Sequence, residues 1–294
     1  MLRLRVGGLT LAVHASRPTP HLCLPPTHRP FEAARGDDLR LEFARDSIPE
    51  TRNDRLLFDS GMVWKVYRHR GGLLYTFQTP ALTPPIYKAV AIDCRFRRGT
   101  LYFPLPRGGQ WPRYALDFPL DELLFQHRLA REGSFELHAC GVKIKGRAVL
   151  FCGKSGAGKT TMARLWRQSH PQATVLSDDR IIVRRTGPLF RAYGTPWHGV
   201  GGYAAQGQAP LALICFLRHA SRPTLRPLPA GEATARLFAR TFPPMWDGKA
   251  VAAVLDGCAR LAEKLPCYEF AFRPDPSAIE VVLGAIARGS GAQV

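Results

Sequence analysis

No stretch of this sequence is apolar for long enough to cross a bilayer as a helix. The longest later run, "LALICFL" at 211–217, is about a third of the length a spanning helix needs. The opening "MLRLRVGGLTLAVHAS" imitates a secretion signal. However, its apolar part is short, is broken by Gly7-Gly8 and alternates as a strand would, so no membrane segment and a cytoplasmic location are expected. Paired cysteines are also missing. Seven are present, an odd number, none in a C-x-x-C spacing and several inside apolar runs, which excludes a zinc ribbon or a disulfide frame and implies reduced, buried thiols. Acidic residues are scarce, 23 against 41 Lys+Arg, a formal charge of +18. That imbalance suits an anionic partner. Yet the basic residues are scattered in ones and twos without an aromatic-interleaved block, so no nucleic-acid module is read. Repeats and low-complexity tracts are absent as well.

What is present is ordinary globular material, 46% apolar and 22% charged over 294 residues, enough for one large domain or two smaller ones. The first part reads as β-rich. "LRLRV" and "LTLAVHA" flank Gly7-Gly8, "MVWKVYRH" and "LLYTFQT" flank Gly71-Gly72, and "KAVAIDCRF" and "TLYFPL" flank Arg98-Gly99, three hairpin signals. The Pro-rich "RPTPHLCLPPTHRPFEAARGDD" between the first two hairpins is expected to be irregular. "PLDELLFQHRLAREG" has acidic residues in its first turn and Gly133 after its end, a helix signature, and a domain boundary is expected there, dividing 1–132 from 133–294. Beyond it come strands "FELHACGVKI", "RAVLFC", "ATVL", "IIVRR", "LFRAY", "LALICFL" and "YEFAF". The expected helices are 159–168, "GEATARLFART", "GKAVAAVLDGCARLAEKL" and "DPSAIEVVLGAIA", the last capped at Asp275, before a frayed "RGSGAQV" tail.

The chemistry concentrates in two places. "FCGKSGAGKTT" fits the pattern G-x-x-x-x-G-K-[ST], between a strand and a helix. Gly153, Gly156 and Gly158 let the backbone amides of Gly153, Lys154, Ser155, Gly156, Ala157 and Gly158 turn inward as an anion nest, and the helix beginning at Lys159, Thr160 and Thr161 adds its positive dipole end. Lys159 is placed for β- and γ-phosphates and the Thr160 hydroxyl for Mg²⁺. One helix and one strand later, "LSDDR" ends a short strand with Asp178 and Asp179. A right-handed crossover brings that strand end to the edge that carries the glycine loop. One carboxylate suits the metal and the other a proton acceptor. His198, in the Gly-rich "GTPWHGVGG", and Arg180 are further candidates for facing a substrate.

A carboxylate pair so soon after the loop is typical of kinases. The continuation as a hairpin, rather than a helical lid, separates this chain from shikimate- or gluconate-type small-molecule kinases. From about Phe135 to Leu283, through His138 in "LHACGV", "GKSGAGKT", the Asp-Asp pair, "YGTPWHG", "TFPPMWD" and "CYEFAFRPDPS", the sequence resembles the HPr kinase/phosphorylase family. More remotely it resembles ATP-dependent phosphoenolpyruvate carboxykinases. Within the family it is most similar to the HPr-kinase-related branch, part of which is associated with tailoring of ribosomal peptides, lasso-peptide precursors included. The resemblance implies an α/β fold with a P-loop kinase core and a mixed sheet; the β-rich N-terminal domain before it, a candidate for substrate recognition, does not resemble the family's own N-terminal domain. The resemblance further implies ATP and Mg²⁺ as nucleotide and metal, a Ser or Thr hydroxyl of a peptide or protein as acceptor, and oligomeric assembly of the kind its relatives show. By the same resemblance Asp178 is the general base, Asp179 joins Thr160 on Mg²⁺, and His138 positions the base or the phosphate. Thr161 stands where the family carries an acid, and the family's phosphorolysis-linked Gly-rich stretch is replaced by "GTPWHGVGG". Two alternatives stay open: a regulatory protein that binds nucleotide and hydrolyses it slowly, and a small-molecule kinase.

Overall fold

The computed structural model describes residues 1–82, 85–104 and 112–290. The chain forms two compact units, Met1–Leu124 and Phe125–Val294. The first holds β1 (Leu2–Val6), β2 (Leu9–His14), β3 (Leu39–Ala44), β4 (Arg55–Asp59), β5 (Trp64–His69), β6 (Gly72–Gln78), β7 (Ile86–Ile92) and β8 (Arg98–Tyr102). They make one mixed sheet in the order β1-β2-β3-β8-β7-β6-β5-β4, parallel at β2/β3 and β3/β8 and antiparallel elsewhere. The Gly7-Gly8 and Gly71-Gly72 hairpins form as expected, both glycines of the first turn having positive φ.

The third hairpin turns elsewhere. Arg98 and Gly99 lie in β8, and the chain reverses over Asp93–Arg97. There the Asp93 carboxylate accepts from the amides of Arg95, Arg97 and Arg98, an Asx-type turn that mimics a backbone turn. Gly99 is needed for a different reason: a Cβ there would sit 2.3 Å from the carbonyl oxygen of Ala91 on the neighbouring strand. The region expected to be irregular contains a short 3-10 turn (Pro26–Phe31) and an isolated bridge from Glu32 to Leu4. It is followed by β3, whose "LRLEFA" alternates buried and exposed only at its start, too briefly to stand out as a strand pattern. β4 likewise carries no alternation that marks it in the sequence. Leu105 of the expected third hairpin and residues 291–294 of the expected tail lie outside the described residues.

The division between the units falls inside α1 (Leu120–Ala130), earlier than the boundary expected at 132/133, and α1 ends before Gly133 (φ +67). The strands of the second unit are β9 (Phe135–Ile144), β10 (Arg147–Cys152), β11 (Thr174–Ser177), β12 (Arg180–Thr186), β13 (Leu189–Tyr193), β14 (Gln208–His219), β15 (Thr224–Pro227) and β16 (Cys267–Phe272). The helices are α2 (Lys159–Ser169), α3 (Ala230–Phe238), α4 (Gly248–Lys264) and α5 (Ser277–Ser290). The long strands β9 and β14 each pair with three others. The start of β9 pairs with β12 and its remainder with β10 and β11, while β14 leaves β13 at Pro210 to run beside β10 and then β16.

β10, β14 and β16 are parallel, and β11 runs the same way because both it and β10 oppose β9. Their C-terminal ends, Cys152, Ser177, His219 and Phe272, therefore share one edge. β10 shows why the sheet is covered on both faces. Ala148, Leu150 and Cys152 join the core under α3 and α4, whereas Val149 and Phe151 join the core under α2 and α5. A strand buried on both sides reads as an unbroken apolar run, which is what "AVLFC" is. Among the described residues no helix is long and apolar enough to cross a membrane.

Candidate active site at the C-terminal strand edge

The glycine loop begins where β10 stops. Gly153 is packed so tightly that a Cβ would lie 2.5 Å from Ala157 Cβ. Gly158 adopts φ +102 at the start of α2 and supplies no capping side chain. The first-turn amides of α2 thus face the loop at the positive end of the helix dipole. Lys154, Ser155 and Gly156 are exposed, and Thr161 is half-buried on α2. Lys159 is the exception, 7% exposed, with Nζ folded back to donate to the carbonyls of Gly153 (3.0 Å) and Lys154 (3.2 Å). Burial lowers its pKa, against an opposing pull from the Asp179 carboxylate.

The two aspartates part company at the end of β11, as adjacent residues of an extended segment do. Asp178, 1% exposed, turns toward the loop. Its Oδ2 accepts from the Thr160 hydroxyl (3.2 Å) and from the amide of Gly201 (2.9 Å), and its Oδ1 from the amide of Gly199 (3.0 Å). Asp179 turns toward β9 and β12. It pairs with His138 Nε2 at 2.9 Å and with the Arg180 guanidinium. Partial burial would raise the Asp179 pKa, but the His138 hydrogen bond, with Arg180 and Lys159, outweighs it and holds the carboxyl below the usual carboxylate range.

The Thr160 hydroxyl lies against Asp178 and not Asp179, and His138 lies against Asp179 and not Asp178. The physical reason is register. His138 of β9 is the Cα partner of Arg180 at the first position of β12, so the residue just before Arg180 meets the imidazole.

Residues that no sequence pattern singles out complete the cluster. Glu136, two positions before His138 on the same face, is buried and pairs with Arg180 Nε at 3.1 Å, while Gln126 Nε2 donates to its other oxygen at 2.9 Å. The Phe242 ring lies 4.2 Å below the Arg180 guanidinium and 6.0 Å from the His138 ring. Arg180 is thereby held by Asp179, Glu136 and the Phe242 ring. The only sequence signal for Glu136 is an acid in a strand otherwise buried on both faces.

His198 is exposed and its ring contacts the carbonyl of its own neighbour Gly199 (2.8 Å); it is not brought to the aspartates. Trp197 beside it is buried, and its carbonyl accepts from Ser177 Oγ (3.2 Å), which also accepts from the amides of Asp179 and Arg180. That serine locks the turn that separates the two carboxylates. Among the described residues no group of three or more His, Cys, Asp and Glu is arranged to hold a metal.

The segment carrying Phe242 is anchored at its far end by Asp247, which accepts from the amide of Ala250 (3.2 Å) and from His127 Nε2 (2.9 Å). Burial pushes the His127 pKa down to about 4, against the pull of Asp247. Its folded value therefore lies below its unfolded one, and between pH 6.5 and 4 the unfolded chain binds the extra proton. Stability should fall as pH drops through that window, by on the order of 3 kcal/mol if this group acts alone. Melting temperatures measured from about pH 7 to 5 should decline, and His127→Asn should flatten the slope. An unchanged slope in the variant would remove His127 as its source.

No family model and no curated protein matches the chain. Among solved structures it is similar to an HPr(Ser) kinase/phosphatase from Coxiella burnetii, with a TM-score of 0.33 and 14% identity, over 53% of this chain and 93% of that one. A TM-score at that level carries no inference about activity. The fold itself is mixed α/β, with two mixed multi-stranded sheets and few helices.

Proposed function

We propose that the second unit is a kinase-type phosphotransferase that takes the γ-phosphoryl group of Mg-ATP to a Ser or Thr hydroxyl of a peptide or protein. The observation that carries this reading is the convergence, on one strand edge, of a glycine loop leading into a helix N-terminus, a hydroxyl–carboxylate pair and a separate carboxylate–imidazole pair. Thr160 Oγ1 and Asp178 Oδ2, 3.2 Å apart, are hard oxygen donors of the kind Mg²⁺ takes alongside phosphate oxygens and water. Bound there, the metal would neutralise charge on the β- and γ-phosphates.

The remaining work falls to the chain itself. Lys159 swings from its two loop carbonyls onto the phosphates, and the amides of the loop and of the first turn of α2 hold the transferred group by fixed dipoles. Asp179, ionised throughout the neutral range, orients the acceptor hydroxyl and takes its proton as the new P–O bond forms and the bond to the leaving ADP oxygen breaks. His138 and Arg180 hold the Asp179 carboxylate in place, and Glu136 balances Arg180 from behind. The metal carboxylate is thus Asp178 and the base Asp179. Recognition of the acceptor by the first unit, a ribosomal peptide as that acceptor, self-assembly and a cytoplasmic location complete the proposal.

The direct test is incubation with Mg-ATP labelled in the γ position and a pool of Ser- and Thr-containing peptides, read by mass spectrometry. Phosphopeptides, or label released to water when no acceptor fits, are expected. Absence of any Mg-dependent ATP binding would sink the reading, and tight binding with turnover at background against every acceptor would favour a regulatory protein.

Gly201 offers a finer probe. A Cβ there would fall 2.5 Å from Asp178 Oδ2 and 2.7 Å from Thr160 Cγ2. Gly201→Ala must push its amide off the carboxylate, and a hydrogen bond to a charged group contributes about 1.5–3 kcal/mol. The Mg²⁺ concentration for half-maximal activity should shift roughly tenfold or more. Gly231→Ala on α3, where nothing lies within 4 Å of the added atom, should leave it alone.

A further inference from the structure

The carboxylates stand on one side of the glycine loop, and a different pair of side chains stands on the other. Along the shared edge the strands follow one another as β11, β9, β10, β14 and β16. Asp178 and Asp179 leave the β11 end. His219 and Phe272 are the last residues of β14 and β16, where Gly158 packs between loop and rings; a Cβ on it would lie 2.6 Å from Phe272 and 3.5 Å from His219. The His219 imidazole is exposed, lies over the buried Phe272 ring at 5.5 Å and 31°, and its Nε2 donates to the carbonyl of Gly156 at 3.1 Å.

A triphosphate laid along the loop with its transferable end at the carboxylates has its other end on the His219 side. Arg273 beside Phe272 is paired with Asp275, whereas Arg218 only approaches, at 3.6 Å, a Glu269 that also holds Arg226 and Arg236. A surface whose centre is an exposed imidazole tilted over a buried phenyl ring offers a face to a planar group.

Resting on the phosphotransferase reading above, we propose that His219 is the nucleoside-side contact of the site. Its Nε2 pins the Gly156 peptide so that the loop keeps its anion-binding shape, and its exposed ring carries the ribose and purine of the nucleotide. Stacking of this kind tolerates different bases, because every base presents a π-face. The contact therefore separates nucleoside triphosphates from bare polyphosphate more than it separates one purine from another.

The test compares binding of Mg-ATP, Mg-GTP and Mg-tripolyphosphate by calorimetry for the wild-type protein, His219→Ala and His219→Gln. His219 is exposed, and unchanged melting temperatures would confirm that both variants fold. His219→Ala should weaken ATP and GTP alike by about tenfold or more, with a distinctly smaller loss for tripolyphosphate. His219→Gln retains a donor for Gly156 without the ring, and should restore tripolyphosphate but not the nucleotides. Equal losses for all three ligands would overturn the nucleoside contact and reduce His219 to a support of the loop; no loss for any would overturn both roles. A wild-type protein that binds neither nucleotide nor tripolyphosphate fails at an earlier point, because it removes the phosphate-binding reading of the loop itself.

Discussion

Asp179→Asn is expected to lower kcat by about 10²–10⁴-fold while the affinity for ATP stays near that of the unaltered protein, because general-base catalysis is worth about that much. The asparagine keeps the shape of the side chain and can still meet His138 or Arg180, but it cannot accept a proton. Asp178→Asn should behave differently. Asp178 accepts three hydrogen bonds, from Thr160, Gly199 and Gly201. An amide nitrogen facing any of those donors loses that bond and one metal ligand together. Its half-saturating Mg²⁺ concentration should therefore rise, and excess Mg²⁺ should restore part of the activity. Activity titrated against Mg²⁺ for both variants distinguishes the roles. Rescue of Asp179→Asn and not of Asp178→Asn would return the base to Asp178.

The pH dependence follows from the same residue. Because His138, Arg180 and Lys159 together hold Asp179 below the usual carboxylate range, its charged form persists to lower pH than in the unfolded chain. Its contribution to stability is complete above the unfolded pKa and is lost as pH falls through the folded one. The acid limb of the kcat profile should accordingly lie below the ordinary carboxylate range, and an acid limb near neutrality would remove Asp179 as the group that takes the proton.

Lys159→Ala should cost about 10²–10³-fold in kcat, the range seen when one fixed donor to a developing oxyanion is removed, and should weaken ATP binding as well. Nζ is held between the Gly153 and Lys154 carbonyls. With 7% exposure and a pKa lowered by burial, the ammonium is already partly desolvated, a cost that the phosphate oxygens of a bound nucleotide would offset. Two measurements check this, turnover and ATP affinity. A variant with unchanged turnover would end the reading of the loop as catalytic.

Local chemistry explains why parts of this site are legible in the sequence. The strand–glycine–helix punctuation around Gly153 and Gly158 is contiguous, so pattern alone finds it, and it places Lys159 and Thr160 as well. "LSDDR" stands out because a carboxylate pair closes a short apolar strand. The β-rich start is visible in Gly7-Gly8 and Gly71-Gly72, where positive φ at Gly7, Gly8 and Gly71 favours glycine. Arg98-Gly99 misleads for a related reason. A glycine required by close approach of a neighbouring strand, as Gly99 is by Ala91, looks in one dimension the same as a glycine required by a turn.

Which aspartate meets which partner is a matter of register, and register is non-local. His138 and Asp179 are joined only because β9 pairs with β12 at Arg180, and Asp178 is committed to Thr160 only because the 199–201 amides close on it from the far side. Glu136, Phe242 and His219 enter the same way, from three different elements that a sequence scan has no means of bringing together. Spacing along the chain carries backbone geometry and the periodicity of burial, because both are properties of neighbours. The partners of a charged side chain depend on strands dozens of residues apart, and only the folded sheet sets those.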